Sequence, residues 1–412
     1  MNFDAKQATR EAGLARLTAF LPSAGPDYAS LRNFVAGTAR ASVSGLSPWV
    51  QKRLVLEAEL VEAARDTWGF RGAEKFIQEA YWRTYWKGWL ERRPAAWTRW
   101  REAVPRLRDA LAGERRATWE AACAGRTDIA CFNAWARELV EAGWLHNHAR
   151  MWFASIWIFT LRLPWELGAA FFYEHLLDGD AASNTLSWRW VAGLQTAGKT
   201  YLARADNIAK YQGADLAPPA CRLAAEAIAI TEAPLERIEP PERPTEWRRH
   251  PASAAGLRAG LWLHPEDLVP ELGGLADAPV AGVYARWPAG IERRAGWSPG
   301  VTAWTRAALE DGAARAGIHF GCGTETEAGR EPVDLATGML AWARRENLAV
   351  VLAHEPALGP WRDEIRAAAP ALEAAGVRVL WIRRAWDARW WPHATRGYFP
   401  FWAAVGSAEN PG

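Results

Sequence analysis

Residues 143–155 have the sequence GWLHNHARMWFAS, and residues 178–190 have the sequence DGDAASNTLSWRW. The first segment sets two histidines, an asparagine and an arginine into an aromatic pattern with helical spacing. The second carries two carboxylates and an amide beside indoles, at a predicted turn between helices. Such residues suit a binding site. They also suit a capped helix start, DGDAASN, on a tryptophan-rich core.

The chain around these segments divides into two halves with different periodicity. From residue 5 to about 213, apolar residues recur at three- and four-residue spacing, as in KRLVLEAELVEAARDTW (52–68), and predict helices without strands. The prolines of residues 214–255 predict a linker, with one short helix at CRLAAEAIAI (221–230).

Beyond the linker, short apolar runs alternate with helical patterns, which is typical of a parallel α/β sheet. We therefore predict an all-helical domain (1–213), a proline-rich linker (214–255) and a Rossmann-like α/β domain (256–405). The predicted strands are GLRAGLWL (256–263), PVAGVYA (279–285), AGIHF (316–320), LAVVLA (348–353) and VRVLWI (377–382).

Composition excludes several classes of protein. Half of the 412 residues are apolar, which permits sizeable cores, but the longest apolar run, MWFASIWIFTL, is too short to span a bilayer. The amino terminus lacks the pattern of a secretion signal, so we expect a cytoplasmic protein. Four scattered cysteines predict neither a metal site nor a disulfide framework. Residues 1–213 hold 28 Lys and Arg against 22 Asp and Glu, a small bias that permits contact with phosphate.

The ordered motifs closely resemble the FAD-binding domain of the photolyase/cryptochrome family. In that family a GWMHNRxRM helix precedes a DGDLAxNxxxWxW turn, as GWLHNHARM precedes DGDAASNTLSWRW here. The resemblance spans about residues 10–205. Three further segments match in the same order: DYASLRN (27–33) resembles Tyr-x-x-x-Arg, SVSGLSPWV (42–50) resembles TSxLSP, and FIQEAYWRTYW (76–86) resembles ELxWREFY.

The resemblance implies FAD as the cofactor. Ser44 and Ser47, at a helix start, would bind its pyrophosphate; a plain serine-rich cap is the alternative, and Val43 replaces a family threonine. Asn184 would face flavin N5, and Asp178 would accept from the isoalloxazine edge. Arg150 would pair with Asp180 or the flavin region, or form only a structural ion pair. The implied cofactor-binding residues are Tyr28, Ser44, Leu46, Ser47, Arg83, Arg150, Asp178, Asp180 and Asn184.

The resemblance also implies an electron-transfer chain and a substrate cavity. Trp188 and Trp165 match the first two indoles of the chain, and Trp119 is the nearest candidate for the third. Glu79 would hydrogen-bond a damaged pyrimidine pair, and Trp82 and Trp190 would stack on its rings. The implied catalytic residues are Glu79, Trp82, Asn147, Met151 and Trp190.

Departures from the family bear on the branch and on DNA binding. Asn147 and Met151 replace histidines of the (6-4) repair branch, which favours cyclobutane dimer repair, and the cysteine spacing does not suit an iron–sulfur cluster. His148 replaces an arginine that would contact phosphate. The second half, with HEPALGPWRDEI (354–365) and GYFPFW (397–402), resembles the antenna domain that usually comes first, so we predict a circularly permuted order. No residue pattern identifies an antenna chromophore.

The sequence therefore predicts a blue-light-driven FAD flavoprotein resembling a cyclobutane pyrimidine dimer DNA photolyase, a lyase in which excited reduced flavin passes an electron to the lesion. Its partner would be UV-damaged DNA. The alternative is a cryptochrome-like photoreceptor without repair activity, which signals to a protein partner; His148, Val43 and the acidic second half favour it. A third interpretation is a flavoprotein without photochemistry.

Overall fold

The computed structural model describes residues 3–35, 42–250 and 257–409. Up to residue 213 the described ranges contain helices and no strand, which confirms the expected helical class. The helices are α1 (Arg10–Phe20), α2 (Pro26–Leu31), α3 (Ser47–Gln51), α4 (Glu57–Gly72), α5 (Glu74–Glu91), α6 (Ala95–Asp109), α7 (Gly113–Cys123), α8 (Ala130–Ala142), α9 (Asn147–Ser155), α10 (Trp165–His175), α11 (Ser183–Val191) and α12 (Ala205–Gln212).

Local sequence signals bound α9, the helix that carries the first quoted segment. Helix α8 ends at Gly143, whose φ of 61° lies in the left-handed region that glycine adopts without strain. Helix α9 starts after His146, whose Nδ1 accepts a hydrogen bond from the His148 amide. It continues into a π-helical turn, Ile156–Thr160, and Pro164 precedes α10. The first quoted segment thus lies on a short helix with clear bounds in a largely buried helical core.

The second half is a parallel α/β unit, as the alternating pattern predicted. Within the described residues its five strands are all parallel and follow the order β3-β2-β1-β4-β5, the doubly wound arrangement. The strands are β1 (Ala259–Trp262), β2 (Val280–Tyr284), β3 (Thr324–Glu325), β4 (Val350–His354) and β5 (Arg378–Ile382). The helices are α13 (Ile291–Ala295), α14 (Pro299–Phe320), α15 (Leu335–Arg345), α16 (Pro360–Ala374), α17 (Ala385–Trp390) and α18 (Tyr398–Glu409).

One predicted strand is wrong, and one strand was missed. AGIHF (316–320) is the last turn of α14, which runs on to its left-handed cap at Gly321. Ile318 is 84% exposed, so this apolar run does not mark a buried strand. The missed strand, β3, has two residues, Thr324–Glu325, too few to give a periodic signal.

The predicted helix at 221–230 is also wrong. A 3-10 turn, Ala220–Arg222, is the helical structure found there, and the chain then continues along the helical half without regular secondary structure. Its backbone groups bond to that surface instead of to each other: the Ile230 amide donates to the Ala192 carbonyl over 3.1 Å. The last linker residues, 251–255, lie outside the described ranges.

The carboxyl edge of the sheet packs directly on the helical half. Arg53, which is 4% exposed, donates to both carboxylate oxygens of Asp387 over 2.7 Å and to Asp267 over 3.2 Å. The backbone amide of Leu268 donates to the Lys52 carbonyl. Ligands of doubly wound proteins usually bind at this edge. Here buried ion pairs with the other half cover it.

Helix α18 returns to the helical half and packs on α5. The Tyr85 hydroxyl donates to the Arg396 carbonyl over 2.7 Å. Gly88 of α5 allows the close approach of the 3-10 turn Trp391–His393, which precedes α18, because a Cβ at Gly88 would lie 2.9 Å from the Trp391 Cα. None of the helices in the described ranges has the length and apolarity needed to cross a membrane. The cysteines Cys123, Cys131, Cys221 and Cys322 are free thiols.

Candidate functional site

The turn between α10 and α11 gathers the polar residues of the second quoted segment. Asp178 and Asp180 are 2% and 1% exposed. The Asn184 Nδ2 donates to Asp178 Oδ1 over 3.1 Å. Asp180 Oδ1 accepts hydrogen bonds from the backbone amides of Ala182 and Ser183, at the start of α11. The two acids and the amide therefore form one buried polar cluster, and Asp180 also binds backbone amides at the start of α11.

Arg83, on α5, supplies the counter-charge of this cluster. Its Nη1 donates to Asp180 Oδ2 over 2.5 Å, and its Nη2 lies 3.6 Å from Asp178 Oδ2. Burial alone would raise the pKa of Asp180, but Arg83 and Lys87 hold it below its usual value. The expected Asp180 partner, Arg150, instead donates from Nε to the Leu145 carbonyl over 2.7 Å. The pairing differs because α5 brings Arg83 onto Asp180, whereas the Arg150 Nε turns back onto the backbone at the start of its own helix.

Three further charged residues adjoin the cluster, and no sequence motif indicated them. Lys52 is fully buried, and its Nζ has no hydrogen-bond partner within the described residues. Desolvation lowers the pKa of Lys52, although Glu266, Asp178 and Asp180 act against this. Lys87 lies 4.0 Å from Glu266, which also accepts from the Gln51 amide over 2.9 Å. Glu266 belongs to the other half of the chain, so its contribution depends on the tertiary fold.

The serine-rich segment forms a short turn before α3. The Leu46 amide contacts Ser44 Oγ at 3.4 Å, and the Arg16 Nε donates to the Ser44 carbonyl over 2.6 Å. Ser44 and Ser47 are part-exposed, whereas Leu46 is buried. Arg16, which the motifs did not indicate, brings a positive charge to the segment expected to bind pyrophosphate.

Tyr28 and His148 have mainly structural contacts. Tyr28 is buried edge-on against Phe76, with the ring centroids 5.5 Å apart. His148 Nδ1 lies 2.9 Å from the Asn33 carbonyl, and its ring packs on Trp152. Desolvation lowers the pKa of His148, so it is neutral at physiological pH and adds no positive charge there.

Each implied lesion-binding residue on α5 has a partner within the chain. Glu79 forms an ion pair with Arg32, and desolvation, partly offset by Arg32, raises the pKa of Glu79. The Trp82 ring stacks on Tyr398 of α18, with centroids 3.5 Å apart and planes 8° apart.

The remaining implied catalytic residues lie on α9 and α11. Trp190 stacks on Tyr201 with centroids 5.6 Å apart. Met151 is part-exposed, and Asn147 is exposed at the first position of α9. The direct contacts of Trp82 and Trp190 described above are therefore with tyrosines of the chain.

The two implied electron-transfer indoles lie on adjacent helices. Trp188 is 1% exposed and packs edge-on against Phe172 and Trp157, with centroids 5.0 and 6.0 Å away. Among the described aromatic contacts, none joins Trp188 directly to Trp165. The Trp165 Nε1 donates to Glu232 over 3.0 Å, beside a cavity of about 360 Å³ that Trp100 also lines. Trp119 is part-exposed on α7, where Arg116 lies over its ring.

The donor set fits FAD. Asp178 offers an acceptor, and Asn184 an amide, to the polar edge of a flavin. Arg83 and Arg150 are close enough to influence each other electrostatically, and Asp178 also acts on Arg150. Arg150 is part-exposed, and desolvation lowers its pKa, although Asp178 acts against this. The serine turn with Arg16 suits a phosphate, because hydroxyl, amide and guanidinium groups are phosphate donors.

Comparison with known proteins agrees with this chemistry. Residues 76–216 match the family model described as the FAD binding domain of DNA photolyase. The deoxyribodipyrimidine photo-lyase of Streptomyces griseus is 38% identical over 187 residues, which cover 45% of this chain and 39% of that protein. One from Thermus thermophilus is 36% identical over 184 residues, covering 45% and 42%. Cryptochrome-1 of Arabidopsis thaliana is 28% identical over 217 residues, covering 51% and 27%.

The chain thus spans about two fifths of the length of the photo-lyases that it matches. The matched residues run from α5 to the start of the linker and include Arg83, Asp178, Asp180 and Asn184. They carry the buried acid cluster described above, and the match supports FAD as the cofactor. Residues 76–216 of this chain are therefore similar to the FAD binding domain of DNA photolyase.

Proposed function

We propose that this protein is a light-driven FAD flavoprotein of the cyclobutane pyrimidine dimer photolyase type, acting as a lyase on UV-damaged DNA in the cytoplasm. The observation that carries the proposal is the buried cluster of Asp178, Asp180 and Asn184 with Arg83, next to a helix that bears Glu79 and Trp82. The similarity to photo-lyases supports the same conclusion.

Residues of the cluster and of the neighbouring helices would each have a separate role in this function. Arg83 and Asp180 hold the start of α11, which fixes the Asn184 amide against Asp178. Bound FAD would supply the light absorption and one-electron transfer. Trp188, enclosed by aromatic rings, is the closest implied indole in sequence to this cluster and would relay electrons. Because the pKa of Glu79 is raised, its protonated form persists to higher pH than that of a free glutamate and can donate to a pyrimidine carbonyl.

The test begins with the absorption spectrum of the purified full chain before and after blue light. A flavin spectrum that bleaches with a reductant present, and slower bleaching in Trp188→Phe, are the expected results. The photoreduced protein is then mixed with UV-irradiated thymine oligonucleotides, and light-dependent recovery of their absorbance at the thymine band is measured. A protein that neither retains nor takes up FAD would exclude the proposal.

A cryptochrome-like photoreceptor, which signals to a protein partner, is the second candidate. One observation favours it: Trp82 and Glu79, which would contact a lesion, already contact Tyr398 and Arg32. The similarity to cryptochrome-1 is consistent with this function. Normal photoreduction without repair of single- or double-stranded oligonucleotides would favour the photoreceptor, and any repair would favour the photolyase.

A further inference from the structure

Tyr398 lies on Trp82 in the manner of a stacked base. Their ring centroids are 3.5 Å apart and their planes differ by 8°. Aromatic pairs in proteins usually prefer offset or edge-on arrangements with centroids about 4.5–7 Å apart. Full overlap at van der Waals spacing is the geometry of a nucleobase on an aromatic side chain. One face of Trp82 is therefore covered by a ring of the chain itself.

Several contacts hold Tyr398 in this position. Its hydroxyl donates to the Gln78 carbonyl, one turn earlier on α5, over 2.7 Å. Tyr85 packs edge-on against it at 5.5 Å, and the side chain is 5% exposed. Burial and the charge of Glu79 both raise the pKa of Tyr398, so it stays a neutral hydroxyl close to that carboxyl. The ring thus covers Trp82, and its hydroxyl is held at the backbone of Gln78, the residue before Glu79.

We propose that Tyr398 is an internal occupant of a pyrimidine-binding slot formed by Trp82 and Glu79, and that nucleic acid enters this slot only when Tyr398 leaves it. Tyr398 then determines which substrates bind: a flexible single strand, whose bases are free to stack, competes with the tyrosine better than a paired duplex does. The proposal rests on the proposed function, because it takes Trp82 and Glu79 as the residues that receive a damaged pyrimidine.

The experiment measures binding of a fluorescent, UV-irradiated oligothymidylate single strand to the full chain by anisotropy. Tyr398→Ala removes the competing ring and should tighten binding about tenfold or more, whereas Tyr398→Phe keeps the ring and should bind as the parent protein does. Phe399→Ala is the matched control, because Phe399 is the neighbouring aromatic residue but is 79% exposed. Adding Trp82→Ala to Tyr398→Ala should abolish the gain.

Tyr398→Leu serves if the alanine variant does not fold, since leucine keeps apolar volume but cannot stack. Equal or weaker binding by folded Tyr398→Ala or Tyr398→Leu protein, relative to the parent, or no binding by any variant, would overturn the proposal. The FAD absorption spectrum of the same preparations distinguishes a failure of the slot proposal from a failure of the proposed function. A flavin-bound, photoreducible Tyr398→Ala protein with unchanged affinity refutes the slot alone, whereas a flavin-free protein refutes the proposed function.

Discussion

At the scale of single residues, the ordered motifs predicted the acid cluster but not its partners. Asp178, Asp180 and Asn184 come from one short segment, so their proximity follows from the local turn. The choice of Arg83 over Arg150 as the ion-pair partner depends on how two helices face each other. Glu266 lies in the other half of the chain, and no local pattern could indicate it. The catalytic roles of Glu79 and Trp82 stay predictions.

Asp180→Asn should destabilise the fold by about 3 kcal/mol at neutral pH, because it breaks a buried ion pair and leaves Arg83 uncompensated. The pKa of Asp180 is depressed in the folded state, so its contribution is present above about pH 4 and is lost as the pH falls through the folded pKa. Urea unfolding of the parent protein and of Asp180→Asn at several pH values measures the difference between their free energies of unfolding. This difference should become smaller in acid.

Asp206→Asn is the control for that change. Asp206 also pairs with an arginine, Arg204, at 2.8 Å, but both side chains are about two thirds exposed. Its substitution should leave the unfolding midpoint at neutral pH unchanged, because exposed ion pairs contribute little. An equal loss of stability in the two variants would contradict a special role for the buried pair.

Glu79→Gln should change how stability depends on pH. The pKa of Glu79 is raised in the folded state, so its protonated form stabilises the fold at low pH, and this contribution disappears as the pH rises through the raised pKa. The parent protein should therefore lose stability relative to Glu79→Gln as the pH increases from about 4. Thermal unfolding across that range measures the difference. A difference in stability between the two proteins that does not change with pH would show that Glu79 does not titrate as described.

At the scale of elements, long periodic segments were predictable and short or solvent-facing ones were not. The strands β1, β2 and β5 lie within predicted apolar runs, and β4 extends one residue beyond its run, to His354, because each is bounded by turns and packs in a sheet between helices. AGIHF failed because the final turn of a helix can be as apolar as a strand, and β3 is too short for any period. The irregular segment after residue 222 is fixed by hydrogen bonds to the helical surface, not by its own propensity.

Gly168→Ala tests the close packing of α10 on α11. A Cβ there would lie 2.3 Å from two ring carbons of Trp188, so the indole must move. Alanine gains about 1 kcal/mol of helix propensity, but overpacking costs about 1–3 kcal/mol, so we expect net destabilisation and altered Trp fluorescence. Gly406→Ala is the matched control on α18, because no heavy atom lies within 4 Å of its Cβ position. Gly406→Ala should stabilise the protein. If both Gly168→Ala and Gly406→Ala were stabilising, α10 and α11 could move apart without cost, and the close packing would be refuted.

At the scale of the whole molecule, the two halves share one buried charge network. The sequence predicted both fold types, and their order, but it did not predict that the sheet edge would be covered. The ion pairs that cover the edge join residues more than 200 positions apart. In the sequence these charged residues cannot be distinguished from ordinary surface residues. The antenna-like nature of the second half stays a prediction.

Arg53→Met should cost about 4 kcal/mol, since it leaves Asp387, Asp267 and Glu57 as buried carboxylates without their shared cation. Because these contacts join the halves, calorimetry should show a lower midpoint and separation into two transitions. Arg116→Met, which removes an exposed pair with Glu120, should change stability by less than about 0.5 kcal/mol. A single, unshifted transition in Arg53→Met would refute the coupling.

The return of α18 to α5 also bears on how the chain is made. During synthesis α5 leaves the ribosome more than 300 residues before α18, so Tyr81, Trp82 and Tyr85 stand without their cover for most of translation. Domains generally fold as units while the ribosome is still working. The aromatic face of α5 therefore stays uncovered until residues 398–409 have been synthesised. We expect a chaperone to bind this face while the nascent chain is incomplete.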